Sequence, residues 1–331
     1  MDLTTLRYFL EIAREENMSR AAHRLHVSQS ALSKRIKALE AELGTDLFLR
    51  HSFSIELSDE GRLLAERAAE LVQLHDKIEA DFRTWKEPLG GRLAFGMAEA
   101  QSVRHIAKAI RRLRAKAPKL HTSIASGDTA LVTQQLDKGL LDFGLIVEEP
   151  NREKYHAIAL PDRDRWVVVL PADSPLSRKP EVTYGDLRKV PIFCSEQGWR
   201  GDIHEWCGGH EDALPLESHV TLPNNGTYFV REGLGVLLTF DGLVDTSPGS
   251  GLAARPLSPA LFGRSYLIWR KAGSISPIAE HFLETLRQYL AELSDETRKT
   301  VEASRDEKAP EAEAQRLPHA DATLTNTGDR P

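Results

Sequence analysis

The chain has 331 residues, 41% of them hydrophobic and 28% charged, the balance of a globular protein of two or three domains rather than a disordered or fibrous one. No apolar run reaches the roughly 18 residues of a membrane span, the opening Met1-Asp2-Leu3-Thr4 lacks a secretion signal, and two cysteines cannot build a disulfide framework, so a cytoplasmic protein without a membrane partner is expected. The net charge of −6, from 43 basic and 49 acidic residues, means that any nucleic-acid surface must be local.

Helical spacing opens the chain. Leu3, Leu6, Phe9, Leu10 and Ala13 share one face of a predicted helix over residues 4–16. Asn17-Met18 ends it, and Ser19 stands where the N-cap of a short helix over 20–25 belongs. His26-Val27 then leads into a third helix, capped by Ser28 and closed by Gly44. Two short helices joined this tightly form a helix-turn-helix. On the third helix Leu32, Ile36, Leu39 and Leu43 make the buried stripe; Ser30, Ser33, Lys34 and Lys37 lie opposite, with Gln29 at the flank. No acid lies between Glu16 and Glu40, whereas Arg20, Arg24, Lys34, Arg35 and Lys37 bring five positive charges. Residues 1–60 hold eight basic and ten acidic side chains, so the positive charge is concentrated on this element. Such a face suits the major groove of double-stranded DNA, the alternative being an ordinary solvated helix face. The residues assigned to DNA are Ser28, Gln29, Ser30, Ser33, Lys34, Arg35, Lys37 and Arg50, with Gln29, Ser33 and Lys34 as base readers and Arg35 and Arg50 on phosphate. Arg50 belongs to residues 47–57, where two short apolar segments flank a polar turn in the manner of a wing.

The run Leu6-Arg7-Tyr8-Phe9-Leu10, then Ser19-Arg20-Ala21-Ala22, Val27-Ser28-Gln29-Ser30-Ala31-Leu32-Ser33, Leu43-Gly44, Leu47-Phe48, Arg50 and Leu57-Ser58-Asp59-Glu60-Gly61 resembles the DNA-binding domain of the LysR-type transcriptional regulators. The resemblance implies a winged helix-turn-helix, a linker helix paired antiparallel with its mate, and a two-lobed α/β sensor like a periplasmic binding protein. It also implies an operator, a homodimer that pairs further into a homotetramer, a small-molecule effector, and RNA polymerase as a further partner. Two features depart from the family. Phe53 stands where a basic residue is usual, next to the acidic Glu56, and the tail is longer than the family needs. The expected fold is a multidomain α+β chain. It has a winged helix-turn-helix over 1–60, a linker and dimerisation helix over 61–88, an effector-binding domain over 89–294 and a disordered tail over 295–331.

In the linker, Leu64, Ala68, Leu71, His75, Ile78, Phe82 and Trp85 alternate at spacings of four and three, the seam of a two-stranded coiled coil. An amphipathic helix packed on its own domain is the alternative. After Gly90-Gly91 strands alternate with helices, which implies parallel sheets covered on both faces. Strands are expected at 92–97, 121–125, 141–147 and 156–160, with helices at 102–117 and 129–138. A second lobe over 162–264 begins with Trp166–Leu170 and has strands near 192–194, 219–222 and 236–239. A strand at 265–269 and a helix at 277–293 then return to the first lobe, which otherwise spans 91–161.

Ligands of such lobes sit beyond the carboxyl ends of the strands, near helix starts. Junctions at 98–102, 126–129, 195–199 and 223–227 supply the candidate effector contacts Glu99, Gln101, Ser102, Thr129, Ser195, Trp199, Asn224 and Thr227, although plain capping accounts for the same residue types. The resemblance implies a carboxylate effector, but Glu99, Glu148 and Glu196 near this cleft leave an amine or a polyol open. Cys194 and Cys207 raise an alternative, redox sensing, which lacks an adjacent basic cluster to lower a thiol pKa. His204, Cys207 and His210 are spaced for a metal, but Gly208-Gly209 would break the aligning helix, so neither metal nor cofactor is expected. An enzyme on the two-lobed fold is a further alternative; the chain carries no Gly-x-Ser-x-Gly, Walker or His-Glu-x-x-His motif, and an enzyme would not need the first 60 residues.

Overall fold

The computed structural model describes residues 1–50, 55–84 and 90–313. Helices α1 (Leu3–Glu15), α2 (Met18–Arg24) and α3 (Gln29–Leu43) precede the antiparallel strands β1 (Phe48–Arg50) and β2 (Ile55–Leu57), in which Phe48 faces Leu57. Leu6, Phe9, Ile12, Ala21, Leu32, Ile36, Leu39, Leu47 and Phe48 form one buried cluster, with the Phe9 and Phe48 ring centroids 5.2 Å apart. Burial of such side chains contributes roughly 1.5–3 kcal/mol each and holds the wing strands on the helices. Ser28 caps α3 by accepting the Ala31 N–H, and Gly44 closes it with φ 71°, as the sequence predicts. The turn tip, with Phe53, lies outside the described residues.

Two expectations about this domain are corrected. The cap of α2 is Asn17 rather than Ser19: its Oδ1 accepts the backbone N–H groups of Ser19 and Arg20, both at 3.0 Å. Glu16 already ends α1 in the left-handed region at φ 48°, so only Glu16 and Asn17 separate the two helices. Asn17→Ala is therefore expected to lower stability by about 1 kcal/mol, and Ser19→Ala by less than about 0.5 kcal/mol, in thermal unfolding of the full chain. Equal effects would return the cap to Ser19. Leu43 does not complete the α3 stripe; it is 42% exposed, because Gly44 turns the chain away. Its place inside is taken by Glu40, whose carboxylate accepts the Leu47 N–H at 3.0 Å.

The linker helix α4 (Asp59–Thr84) has two faces. Leu64, Ala65, Ala68 and Val72 pack on the DNA-binding cluster, so the first two predicted seam positions belong to this chain's own core. Leu63, Leu71, Ile78 and Phe82 stay exposed and continue an apolar stripe along the helix; Trp85 lies outside the described residues. Glu70 pairs with Lys138 at 2.6 Å and Lys77 with Asp142 at 2.6 Å, joining the linker to the first lobe of the sensor. Lys138 holds the Glu70 carboxyl below its usual range.

The sensor contains β3 (Gly91–Met97), α5 (Val103–Lys116), β4 (Leu120–Ser126), α6 (Thr129–Asp137), β5 (Phe143–Ile146) and β6 (Tyr155–Pro171). Next come β7 (Val182–Thr183), α7 (Tyr184–Leu187), β8 (Ile192–Cys194) and α8 (Glu196–Gly198). A π-helical turn at Trp199–Ile203 leads to α9 (His204–Trp206), β9 (Leu216–His219), α10 (Pro223–Arg231), β10 (Val236–Phe240), β11 (Leu252–Ser258), β12 (Phe262–Arg270) and α11 (Pro277–Glu313). One sheet runs in the order β4-β3-β5-β12-β6-β10-β8-β9, with β11 beside β6. Neighbours β4, β3 and β5 are parallel, as are β10, β8 and β9, and β6 and β12 run antiparallel to them between the two sets. Phe95, Phe143 and Phe282 centre one lobe, and Trp166, Val168, Leu170, Ile192, Leu238 and Phe240 the other.

Strands 156–160 and 166–170, expected as separate elements in different lobes, are the two ends of β6. The charged run Asp162–Arg165 masks this continuity, yet Arg163 and Arg165 still pair with Arg264 and Phe262 of β12. The strand expected at 219–222 lies earlier, at Leu216–His219, and the Val220 N–H makes its last bond to β8, to the Cys194 carbonyl at 2.9 Å. From Leu283 onward the chain forms a separate unit, in which α11 continues to Glu313. Of the tail expected over 295–331, the residues as far as 313 belong to this helix, and the rest lies outside the described residues. Among the described residues no helix is long and apolar enough to cross a membrane.

Candidate functional site

The first candidate surface is α3. Ser28, Gln29, Ser30, Lys34, Arg35 and Lys37 are exposed and Ser33 is half-buried. Ser28 is occupied as the cap, with its hydroxyl 3.2 Å from that of Ser30. The Gln29 carbonyl accepts from the Ser19 hydroxyl at 3.2 Å, which orients the amide across the helix-turn-helix. Lys34 and Lys37 make no ion pair among the described residues. Arg35 is engaged on its own domain, 3.6 Å from Asp2 and over the Tyr8 ring at 5.5 Å, so it has to exchange partners to reach a phosphate. The acid-free window is also less positive in space than in sequence. Glu15 of α1 pairs with Arg24 at 3.0 Å and with Arg20 at 3.6 Å, leaving the uncompensated charge on α3. Arg50 ends β1, and its side chain lies outside the described residues.

The second candidate is a cleft between the lobes, with about 680 Å³ of empty space when the open solvent at its mouth is included. Its walls come from the ends of β3, β5, β8 and β10 and the starts of α6, α8 and α10, the positions where parallel strands deliver chain to helix termini. Glu99, Asp128, Glu148, Ser195, Gln197, Asp202, Thr221 and Thr239 supply its polar groups, and Val147, Trp166, Leu237, Leu238 and Phe240 its apolar ones. Hydrogen bonds cross between the lobes beside the cleft: the Gln197 carbonyl accepts the Thr129 N–H at 2.9 Å, and the Gln101 amide donates to the Asp241 carbonyl at 3.3 Å. Desolvation raises the carboxyls of Glu99, Glu148 and Asp202 above their usual range, and Asp128 and Asp202 raise Glu148 further.

Of the eight residues predicted for this cleft, Glu99 and Ser195 line it, and Thr129 lines an open groove at its mouth beside Glu196 and Arg200. The other five do not line it. Gln101 faces the hinge, where its N–H bonds the Asp164 carboxylate at 2.9 Å. Ser102 is fully buried at the start of α5, and Trp199 is packed in the second lobe's core. Thr227 is buried and donates to the Asn224 carbonyl at 2.7 Å, a bond within the first turns of α10. Packing accounts for Trp199 and a local bond for Thr227, whereas Asn224 is exposed and the buried Ser102 hydroxyl has no partner among the described residues. Asp202, Thr239, Trp166 and Phe240 were not singled out beforehand. Thr239 carried a usable signal, being the one polar residue in the apolar strand Val236–Phe240.

Both thiols are held protonated. Cys194 is fully buried and pushed up to about 12; Cys207 is raised by burial and by Glu211, and donates to the Ile203 carbonyl at 2.9 Å. His204 bonds Glu211 at 2.5 Å, so it is committed away from a metal set with Cys207.

Residues 86–291 match the family model of the LysR substrate binding domain, and residues 3–62 that of the bacterial regulatory helix-turn-helix protein, lysR family. Over 300 residues the chain is 27% identical to the uncharacterized HTH-type transcriptional regulator YnfL of Escherichia coli (strain K12), covering 85% of this chain and 96% of that one. It is 26% identical over 303 residues to the Hca operon transcriptional activator HcaR of the same organism, covering 89% and 100%. The crystal structure of CbnR, a LysR family transcriptional regulator, shares the fold with a TM-score of 0.67 at 19% identity, over 88% of this chain and 99% of that one.

Proposed function

The chain belongs to the LysR family of transcriptional regulators, with a helix-turn-helix DNA-binding domain and a substrate-binding domain, and from that premise we propose that α3 reads operator bases and that the cleft binds the small molecule controlling transcription. The observation that carries the first part is the capped, exposed face of α3, on which Gln29, Ser33, Lys34 and Lys37 stand with the lysines free of acidic partners among the described residues. An amide, a hydroxyl and an ammonium on one face can bond base edges in the major groove. Arg50 and, after releasing Asp2, Arg35 then contact phosphate. The linker helices pair two such heads on one operator, sensor lobes pair dimers into a tetramer, and the assembled regulator meets RNA polymerase at the promoter. The raised thiols favour a bound molecule over oxidation of Cys194 and Cys207 as the signal, because the thiolate is the reactive form.

Gln29→Ala and Ser33→Ala are each expected to cost roughly 1–3 kcal/mol at one operator position, leaving binding to scrambled DNA unchanged. Arg50→Ala should weaken all sequences alike and reduce the salt slope by about one. Titrations of the full chain against a selected operator and a scrambled duplex over a salt series separate the classes. Full discrimination retained by both Gln29→Ala and Ser33→Ala would remove α3 as the reader.

A further inference from the structure

Among the described residues no cation lines the cleft with its carboxylates; Arg200 and Arg264 line only the groove at its mouth, where Arg200 pairs with Glu196 at 2.8 Å. Glu99, Asp128, Glu148 and Asp202 line the cleft, and its lining contains no lysine, arginine or histidine. Two of the four are partly occupied: Asp128 accepts the Leu131 N–H at 2.8 Å, and Asp202 the Trp166 indole N–H at 2.6 Å. Glu99 and Glu148 have neither an ion pair nor a hydrogen bond among the described residues.

At the starts of α5 and α6 the N–H groups that would hold an anion are already filled. Helix N-termini attract carboxylates through their free N–H groups. Here the Thr129 N–H at the start of α6 is taken by Gln197, the Leu131 N–H by Asp128, and the Gln101 N–H ahead of α5 by the carboxylate of Asp164 at 2.9 Å. Asp164 is buried in the hinge strand and also accepts from Ser265 at 3.1 Å.

A separate feature points to a ligand. Thr239 is only 4% exposed, lies on the cleft wall, and its hydroxyl has no partner among the described residues. A hydroxyl on the cleft wall without a protein partner is available to hydrogen-bond a bound molecule. Beside it the Trp166 and Phe240 rings meet edge to face at 4.7 Å and, with Val147 and Leu238, offer an apolar bed.

We propose that the effector of this cleft is an organic cation with an apolar body, an amine or amidinium, whose charged head is held by Glu99 and Glu148 and whose donor reaches Thr239; this rests on the cleft being the effector site. Oppositely charged groups reinforce one another inside a partly dewatered cleft, and the aromatic faces of Trp166 and Phe240 favour a cation further. The repulsion that lifts Glu148 beside Asp128 and Asp202 is relieved when a positive charge enters.

The test uses matched pairs of opposite charge on the full chain: phenethylamine against phenylacetate, and benzamidine against benzoate. Melting temperature and quenching of tryptophan fluorescence are the readouts, since a ligand of the folded state raises its melting temperature. The amines are expected to raise it and the carboxylates to leave it unmoved. Glu99→Gln with Glu148→Gln should weaken amine binding by at least about tenfold. Thr239→Val, which preserves shape, should weaken it several-fold, and this keeps the test decisive if the double variant fails to fold. Carboxylates binding in place of amines, or amines binding undiminished to the double variant, would overturn the cation assignment and leave the cleft as the effector site. Neither pair binding would also overturn it. A rim-filling Leu243→Trp then decides the wider reading: unchanged reporter output in cells would remove the cleft as the effector site too.

Discussion

Gly61→Ala is expected to break the joint between wing and linker and abolish operator binding. An added Cβ would lie 2.1 Å from the Leu47 carbonyl oxygen and 3.1 Å from Leu57 Cδ2. The Leu47 carbonyl cannot simply retreat, because it accepts the Ser58 N–H at 3.0 Å, the bond that ties the end of β2 back to β1. Ser58 in turn donates its hydroxyl to the Asp46 carbonyl at 2.7 Å and accepts the Gly61 N–H at 2.9 Å, capping α4. Relieving the clash therefore sacrifices either the strand junction or the cap. Overpacking costs about 1–3 kcal/mol and a lost cap about 1 kcal/mol more, so a loss of roughly 3 kcal/mol is expected. For a domain of this size that is a large share of its stability. Denaturant unfolding followed by circular dichroism, with gel-shift titration, checks the result. Gly185→Ala serves as control, since its added Cβ meets only Thr183 Oγ1 at 3.8 Å. Equal stability of the two variants would mean that the joint yields at little cost.

Leu71→Lys combined with Ile78→Lys is expected to leave the chain monomeric at low micromolar concentration. Each of these residues is 49% exposed, and Phe82 is 70% exposed on the same helix. Burying the exposed half of such a side chain contributes about 1 kcal/mol, and a symmetric pair buries four of them, so the loss is about 4 kcal/mol. That weakens the dimer by about a thousandfold before repulsion between lysines is counted. Operator affinity then falls because each head binds alone and the benefit of linkage disappears. Leu64→Lys should behave differently: Leu64 packs against the DNA-binding cluster, so the variant should destabilise the helix-turn-helix and leave the linker able to pair. Sedimentation of the three chains measures both effects. An undiminished dimer in Leu71→Lys with Ile78→Lys would remove this stripe as the interface.

These two substitutions mark the boundary between local and distant information. The cap at Ser28, the stop at Gly44 and the strand–helix alternation after Gly91 follow from neighbours a few residues away, through backbone N–H groups, left-handed geometry and side-chain period. For the same reason the α3 face was legible: a helix places residues three and four apart together wherever it packs. The choice between Leu63 and Leu64 as the seam edge was not, since a 3.6-residue period tolerates either until the DNA-binding cluster claims Leu64 and Ala68.

By itself the sequence determined the helix-turn-helix, the linker, the two-lobed order of strands and helices, and thereby the family. Only the tertiary structure decided which side chains meet in the cleft. Asp202 and Trp166 are 36 positions apart, and they come together because β6 crosses from one lobe to the other and delivers Trp166 beneath the π-helical turn. Gln197 meets Thr129 across 68 positions in the same way. Local pattern names the helix starts, but strand pairing at long range sets which of their side chains face the cleft, and the charge of that cleft follows from the pairing.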